Sequence, residues 1–402
     1  MKRLHLIIAL GLAGFALPAT AADQLKPLVV DGNAFNNKPI PVFIKGYTGE
    51  IARVVKFDLE VMGCKIVPEA QAAYVLEGGN EGSVNGLLKD AAGNFGFNRR
   101  YNGGPLRSQA HALCNDVIRL LREDQNAGIA HTRIVYKMKT GARSYEVFMS
   151  DFDGNKPVKL TNDATIVESP RWAPNNDEVL YTSWMTIGNV QNTTVIRHNL
   201  ANGKRQVFAR FKGLNTGGTV SPQGSVAMIL SKGVNPDVFV APPHWEFLKD
   251  IPGKLLQHIA RSEAAESSPE WSPDGRWLAY ATRIGGRRTL VKVPAQGGPP
   301  QRISTTGAIN PSDPSWSPDG KLIAFTSQTG KFFNIWVVPV AGGAPTLVCA
   351  GEDPSWASNS RNLIFTRRDV NKRVLGIVDV PTKQVKMLPA FSGSASQPDW
   401  QN

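Results

Sequence analysis

Short apolar runs alternate with polar turns along the C-terminal two thirds of the chain. The pentapeptide Trp-Ser-Pro-Asp-Gly at residues 271–275 recurs at residues 316–320, and decayed copies begin at Trp172 and Trp356. After each intact copy come an apolar run, a polar turn, a second apolar run and a glycine-rich turn. This pattern predicts antiparallel strands with tight turns, repeated as one structural unit.

The spacing of these units predicts a six-bladed β-propeller. When Val220 is counted as a degenerate tryptophan and Trp400 as the last one, the tryptophan positions of successive repeats lie 40 to 51 residues apart. One four-stranded propeller blade has about 40 to 50 residues. Residues 132–161 contain a blade without its tryptophan strand, so we expect the strand at Trp400 to complete that blade and close the ring. The propeller is therefore predicted to span residues 131–402.

Residues 39–127 show a mixed pattern that predicts a small α/β domain, which makes the fold mainly β with an α/β domain in front. Strands are expected at 39–44, 64–67, 73–76 and 84–88, helices at 48–62 and 106–121, and a hairpin at 94–102. Residues 128–130 would form the junction. Cys64 and Cys114 both fall in this domain, and either a disulfide between them or isolated buried thiols would fit.

The first residues carry a targeting pattern. A basic start, an apolar stretch and an Ala-x-Ala site predict a cleavable secretory signal at residues 1–21. A membrane anchor is the alternative, but glycines and Pro18 interrupt a stretch that is already short for a span. We therefore expect an exported protein that does not span the membrane. Residues 22–38 would form a flexible N-terminal segment.

The formal net charge is +12, but lysine and arginine are scattered rather than clustered. A solvated basic surface is the simplest interpretation. Export argues against nucleic acid as a partner, so a functional role for this charge would involve anionic envelope material or an acidic protein face.

Charged residues just before the tryptophan of each blade are expected to face the central channel or its mouth. We take them as candidate partner-binding residues: Glu168, Arg171, Glu266, Glu270, Asp313, Asp353 and Asp399. A ring of carboxylates could hold calcium, although solvated channel walls are the alternative, and no other cofactor or metal site is expected. The tryptophans themselves are expected to pack between neighbouring blades: Trp172, Trp271, Trp316, Trp356 and Trp400.

Enzyme signatures are missing from the sequence. It contains no Gly-x-Ser-x-Gly nucleophile elbow, and its six histidines are too dispersed for a metal pair. A non-enzymatic protein is therefore expected. His111 lies beside the apolar stripe of its predicted helix, where either a structural hydrogen bond or a contact with the propeller would fit.

Three stretches, together with the signal and the blade repeat, resemble the TolB family of the periplasmic Tol-Pal system. They are the strand at 39–43, the Leu-Arg-Ser-Gln-Ala-His segment at 106–111 continuing to Asp116, and Thr-Arg-Ile at 132–134. The resemblance implies a periplasmic protein that is peripheral to the membrane and has no catalytic activity. Such a scaffold binds a Pal-like peptidoglycan-associated lipoprotein and supports outer-membrane integrity and constriction at division. It also implies that the N-terminal segment engages a TolA-like inner-membrane protein, with these candidate residues: Leu28, Val29, Val30 and Asp31. An exported propeller that binds or cleaves a polysaccharide or peptide is the alternative.

Chain topology also predicts where a partner would bind. The chain enters the first blade at the strand that follows the Trp-Ser-Pro-Asp-Gly turn in other blades. The small domain should therefore lie on the face that carries those turns, which leaves the opposite face free. On this hypothesis, charge reversal at Glu270 and Asp313 should weaken partner binding.

Overall fold

The computed structural model describes residues 37–402, apart from 188–189, 234, 251–252, 261–263 and 390. The predicted signal peptide, nearly all of the predicted flexible segment and the candidate residues at 28–31 lie outside the described residues. The described part contains 29 β-strands and two α-helices, so the protein is mainly β. Neither helix has the length and apolar character needed to cross a membrane.

The N-terminal domain is a five-stranded mixed sheet with two helices. The strands run in the spatial order β2-β1-β3-β4-β5. Their bounds are β1 Ile40–Lys45, β2 Cys64–Ile66, β3 Tyr74–Gly79, β4 Val84–Asp90 and β5 Phe95–Tyr101, and the helices are α1 Gly49–Val61 and α2 Leu106–Arg122. The apolar faces of both helices and of the sheet share one core.

One predicted element of this domain is wrong. Residues 94–102 do not form a hairpin, because β5 is a single strand that pairs antiparallel with β4. The turn lies earlier than expected. The Asp90 carboxylate accepts hydrogen bonds from the Ala92 and Asn94 amides, at 2.9 and 2.8 Å, and closes the chain there.

The cysteines of the small domain are free thiols. Cys64 and Cys114 are both fully buried in its core and are not bridged. Burial raises the pKa of Cys64 to about 12, so the thiol stays protonated. Of the two alternatives left open by the sequence, the structure has the isolated buried thiols.

Six four-stranded antiparallel sheets form the propeller, as predicted. Blade 1 contains β6 Arg133–Lys139, β7 Tyr145–Asp151 and β8 Val158–Lys159, with β29 Ala395–Trp400 as its innermost strand. Blade 2 contains β9 Val167–Trp172, β10 Glu178–Ile187, β11 Val190–Asn199 and β12 Arg205–Ala209. Blade 3 contains β13 Asn215–Val220, β14 Val226–Leu230, β15 Asp237–Ala241 and β16 Gln257–His258.

The remaining blades follow the same order. Blade 4 contains β17 Ser267–Trp271, β18 Trp277–Ile284, β19 Arg287–Pro294 and β20 Gln301–Arg302. Blade 5 contains β21 Pro311–Trp316, β22 Leu322–Thr329, β23 Phe332–Pro339 and β24 Thr346–Ala350. Blade 6 contains β25 Glu352–Trp356, β26 Asn362–Arg368, β27 Arg373–Asp379 and β28 Gln384–Met387. The first strand of each blade is the one that ends in tryptophan or, in blade 3, in Val220.

Every innermost strand has a bulge at the same place. In blade 4, Ser267 pairs with Ala281 and Glu270 with Ala279, so two residues oppose Tyr280 alone. The first of the two bulged residues has positive φ in all six blades: Ser169, Gly217, Ser268, Asp313, Asp353 and Gln397. The bend turns the N-terminal half of each strand relative to the half that carries the tryptophan.

The repeated turn is held by its own side chains. Ser272 donates a hydrogen bond of 2.6 Å to Asp274, and Asp274 accepts one of 3.0 Å from the Arg276 amide. Gly275 has φ of 69°, which glycine adopts without a steric penalty. These hydrogen bonds lower the pKa of Asp274 to about 2, and the hydrogen bond from Ser272 has the largest effect. Asp274 therefore has a structural role, since it stabilises the turn.

The small domain lies on the face that carries these turns, as the topology predicted. In the decayed turn of blade 6, Asn362 donates to the Val61 carbonyl at 2.8 Å and Asn359 donates to the Ala127 carbonyl at 3.2 Å. The side chains of Lys386 and Glu60 form a salt bridge of 2.8 Å in the same region. The opposite face carries the turns between the second and third strands of the blades. We call it the open face.

Candidate functional site

The central channel brings together five of the seven candidate residues, and Arg171 is at their centre. Its guanidinium lies 3.9 Å from the Asp399 carboxylate. Attraction to Asp399, Glu270, Asp353 and Asp313 raises the pKa of Arg171 despite its burial, so all four carboxyl groups act on this one cation. The space between the carboxylates, where calcium was one of the two alternatives, thus receives a positive charge from the chain itself.

Three carboxyl groups of the channel, those of Glu270, Asp353 and Asp399, bind protons more tightly than ordinary acids do. Burial raises the pKa of Glu270 to about 8, and burial together with Asp313 raises that of Asp353 to about 7. Burial also raises the pKa of Asp399, against the opposing effect of Arg171. One cation does not compensate four half-buried carboxyl groups, so near neutral pH part of this ring stays protonated.

Several channel residues also join neighbouring blades. The Asp399 carboxylate accepts hydrogen bonds from the Trp172 amide of blade 2 and the Ser355 hydroxyl of blade 6, at 2.8 and 2.9 Å. Ser268 of blade 4 donates to Asp313 of blade 5 at 2.8 Å. These side chains therefore hold the ring together, in addition to lining the channel.

Glu168 and Glu266 lie away from this ring. Glu168 bridges blades 1 and 2, accepting from the indole of Trp184 at 3.1 Å and lying 3.4 Å from the Lys137 ammonium. Glu266 is buried at the start of β17, where it accepts a hydrogen bond from Thr282. Both residues precede the bulge of their strand, which turns them away from the channel.

The five repeated tryptophans are all buried, from 1% to 7% exposed. The Trp271 indole donates to the Thr219 carbonyl of the preceding blade at 3.1 Å, and Trp356 donates to Ser315 in the same way. Trp400 donates to the Thr132 hydroxyl at 2.7 Å. The contacts of Trp271 and Trp356 place their rings between adjacent blades, and Trp172 and Trp316 pack against the preceding blade in the same way.

Replacing Glu270 with glutamine is expected to stabilise the protein at alkaline pH and to change little in acid. The penalty for ionising Glu270 in the fold develops as pH rises from the ordinary glutamate value, about 4.3, towards about 8. Urea unfolding midpoints at about pH 5 and about pH 8.5 measure this effect. Asp274→Asn is the control of opposite sign, because the lowered pKa of Asp274 stabilises the fold at neutral pH. A Glu270→Gln variant less stable than the wild type at both pH values would contradict the assignment.

A second cluster of charged residues joins the small domain to blade 1. His111 of α2 lies 2.7 Å from Asp58 of α1 through Nδ1 and 3.9 Å from Asp153 of the propeller through Nε2. Arg107 forms salt bridges with Asp153 and with Glu50. The hydrogen bond to Asp58 raises the pKa of His111 against the effect of burial. His111 thus makes the structural hydrogen bond and also faces the propeller.

Three of these side chains have the composition of a metal site, since one ligand atom from each of Asp58, His111 and Asp153 lies within 4.8 Å of the others. The contacts favour an ion-pair network instead. Asp58 is occupied by the Nδ1 atom of His111, and Arg107 contacts Asp153 directly. A metal ion at Asp153 would be repelled by that guanidinium.

Comparison with known proteins identifies the family. The family description TolB beta propeller domain matches residues 124–402, which is more than half of the chain. The chain belongs to the TolB family. This confirms the resemblance that the sequence motifs indicated.

Two curated relatives of this TolB-family chain carry the name Tol-Pal system protein TolB. That of Actinobacillus succinogenes is 25% identical over 239 residues, which are 50% of this chain and 55% of the relative. That of Albidiferax ferrireducens is 31% identical over 111 residues, 28% of this chain and 24% of the relative. The chain therefore matches about half of the first relative's length and about a quarter of the second's.

Solved structures of TolB proteins share the fold. The crystal structure of TolB from Acinetobacter baumannii aligns with a TM-score of 0.77 at 20% identity and covers 90% of this chain and 97% of that one. Putative TolB from Agrobacterium tumefaciens aligns with a TM-score of 0.51 at 16% identity, over 65% of this chain and 91% of that one. The small domain and the six-bladed propeller are thus the architecture of a TolB protein.

Proposed function

We propose that this TolB-family chain is a periplasmic, non-enzymatic component of a Tol-Pal system. Its open face would bind the globular domain of a Pal-like lipoprotein, and it would thereby support outer-membrane integrity and constriction at division. Membership of the family and the names of the relatives support the system. The secretory pattern at residues 1–21 supports the compartment.

One structural observation supports the choice of face. The small domain contacts blade 6 through Asn359, Asn362 and Lys386 and blade 1 through Asp153, all on the side of the repeated turns. The open face has no such covering among the described residues. Its loops are held on a rigid ring of sheets, an arrangement that favours recognition.

The N-terminal segment would serve a second partner. We assign residues 28–31 to contact with a TolA-like inner-membrane protein. Deleting residues 22–33 from the mature chain should abolish recovery of that protein and leave binding of the Pal-like domain unchanged. Loss of both, or of neither, would contradict the assignment.

The test of the main proposal is titration calorimetry of the full mature chain with the soluble domain of the Pal homologue from the same organism. Hydrogen–deuterium exchange of the complex should then show protection in the open-face turns at 283–288, 328–333 and 367–373. The repeated turns at 272–276 and 317–321 serve as internal controls and should exchange as in the free protein.

Three results would contradict the proposal. The first is no measurable binding of the Pal homologue. The second is protection confined to the face that carries the repeated turns. The third is specific retention on a glycan column without a protein partner, which would support the alternative of a carbohydrate-binding propeller.

A further inference from the structure

Two cavities lie between blades on the face that carries the repeated turns. The first, between blades 4 and 5, has a volume of about 500 Å³ and is lined in part by Trp277 and Val340. The second, between blades 3 and 4, has a volume of about 380 Å³ and is lined in part by Val240 and Leu255. Arg276, in the repeated turn of blade 4, borders both. The cavities therefore adjoin at that turn, and we call them together the turn-face groove.

The turn-face groove lies across the ring from the small domain. That domain contacts blade 6 through Asn362 and blade 1 through Asp153, whereas the groove runs from blade 3 to blade 5. No described residue of the small domain lines either cavity. The groove is also on the opposite side of the ring from the open face. A ligand bound there would therefore leave both the small domain and the open face uncovered.

The outer wall of the second cavity is built by the connection between β15 and β16. This connection, residues 242–256, is longer than the corresponding one of blade 5 at 340–345. The Asp250 carboxylate accepts hydrogen bonds from the Trp245 indole and the Leu255 amide, at 2.8 and 2.9 Å. Trp245 is buried in the core between blades 2 and 3. Leu255 is thus held at the edge of the cavity although it is 66% exposed.

Positive charge predominates along the groove. Its two acids, Asp274 and Asp319, are each paired with a cation of their own turn. Arg276 contacts Asp274 through Nε, and its side chain is 78% exposed. Lys292 in the first cavity donates to a backbone carbonyl at 3.4 Å, and Lys254 is exposed at the edge of the second. Neither lysine forms a salt bridge with a described residue, so the excess of cations favours an anionic ligand.

The walls of the cavities favour a peptide over a sugar chain. In the first, the half-buried ring of Trp277 offers an apolar surface with the Lys292 ammonium 5.2 Å from its centre. In the second, Gln223 and Gln257 donate to backbone carbonyls of blade 4, at 3.2 and 2.6 Å. The remaining walls there are mainly aliphatic: Val240, Pro242, Pro243 and Leu255. Aliphatic walls without an exposed aromatic face suit apolar side chains, which confer specificity on bound peptides.

We propose that the turn-face groove binds an extended, acidic segment of a further partner protein. The segment would place one apolar side chain in each cavity and a carboxylate between them, near Arg276. Its acids would complement Lys292 and Lys254, and its apolar side chains would bury Trp277 and Leu255. This inference is independent of the proposed binding of a Pal-like domain, because that binding uses the other face. The propeller would thus hold two proteins at once.

The test is fluorescence anisotropy of labelled peptides with the full mature chain. Each peptide has about twelve residues, and two leucines, about three to six positions apart, flank aspartate and glutamate. At the best spacing, the acidic peptide should bind at least about tenfold more tightly than its counterpart with lysine at each acidic position. Lys254→Glu with Lys292→Glu should weaken its binding about tenfold, and Leu255→Ser about fivefold.

Two control variants lie outside the groove. Lys139→Glu with Arg143→Glu is a matched double reversal at the open-face turn of blade 1, where both residues are exposed. Leu347→Ser removes a leucine that is 44% exposed on the outer strand of blade 5. Each control should change the affinity for the acidic peptide by less than about twofold. Circular dichroism verifies that all variants keep the fold.

Several outcomes would overturn the inference. They are no binding of any acidic peptide, equal affinity for acidic and basic peptides, and equal losses in the groove variants and the controls. Hydrogen–deuterium exchange should show protection by the acidic peptide at 272–276 and 317–320, and protection at 283–288 and 328–333 instead would overturn the location. A uronic-acid oligosaccharide that binds more tightly than every peptide, and depends on Trp277 but not on Leu255, would assign the groove to an anionic glycan.

Discussion

Replacing Trp400 with alanine should destabilise the protein by about 3–5 kcal/mol, because it leaves a cavity where the ring closes. The side chain is 1% exposed, stacks on Phe152 and donates a hydrogen bond to Thr132. Trp400 belongs to the core that the small domain shares with blades 1 and 6. We therefore expect both domains to unfold at a lower urea concentration, monitored by circular dichroism.

Trp277→Ala is the control for this experiment. Trp277 is half-buried outside the ring closure, and its ring faces the Lys292 ammonium at 5.2 Å. Removal of an exposed cation–π contact and partial packing should cost about 1 kcal/mol. Equal losses in the two variants would show that the ring closure by β29 contributes no more to stability than an ordinary half-buried contact.

Replacing Asp58 with asparagine should lower stability by about 3–5 kcal/mol at about pH 6, because it leaves the buried His111 without its counter-charge. Burial raises the pKa of Asp58, and the contact with Asp58 raises that of His111, so the folded pair keeps a proton that the unfolded chain releases. The wild type should therefore lose stability as pH rises above about 6.5 and through the raised pKa of His111. The variant should show a flatter dependence.

Other charged groups face the same pair. Arg107 and His111 share α2, Asp153 comes from the propeller, and the ring of His131 lies 6.1 Å from that of His111. An NMR titration of the His111 ring would assign the transition to this residue. His198→Gln is the control, since burial lowers the pKa of His198 and its effect on stability has the opposite sign. A wild-type protein that gains stability between about pH 6.5 and about pH 8 would contradict the prediction.

The propeller was predictable from the sequence because every blade must bury the same face, so the residues that do this recur at one spacing. The segment of blade 1 lacks its tryptophan strand, and the strand at Trp400 has no other blade to join. These two features were enough to predict that β29 pairs with β6 and closes the ring. The position of the small domain followed from the strand at which the chain enters the ring. The hairpin predicted at 94–102 is wrong because this aromatic and glycine-rich segment is one strand, and the Asp90 carboxylate closes the turn before it.

The channel was only partly predictable. The position just before tryptophan places Arg171, Glu270 and Asp399 correctly, but strand alternation does not continue across the bulge to Glu168 and Glu266. A signal for the bulge was present, because a small or polar residue before proline recurs three positions ahead of tryptophan. The meeting of Arg171 with Asp399 depends on ring closure, which brings residues 228 positions apart into contact.

The charged cluster at His111 was also only partly predictable from the sequence. Its helix was predictable from apolar spacing, and the histidine was correctly placed beside the apolar stripe. Its partners come from another helix and from the turn after β7. No local pattern in the sequence relates three such segments.

Arg171 gives the propeller a counter-ion that cannot diffuse away. A bound metal would leave the channel whenever its concentration outside fell, whereas a guanidinium attached to β9 stays as long as the chain is folded. The net charge of the channel should accordingly be insensitive to chelators and should change with pH through Glu270 and Asp353. For the periplasmic role proposed above, this would make the central ring independent of the supply of divalent ions.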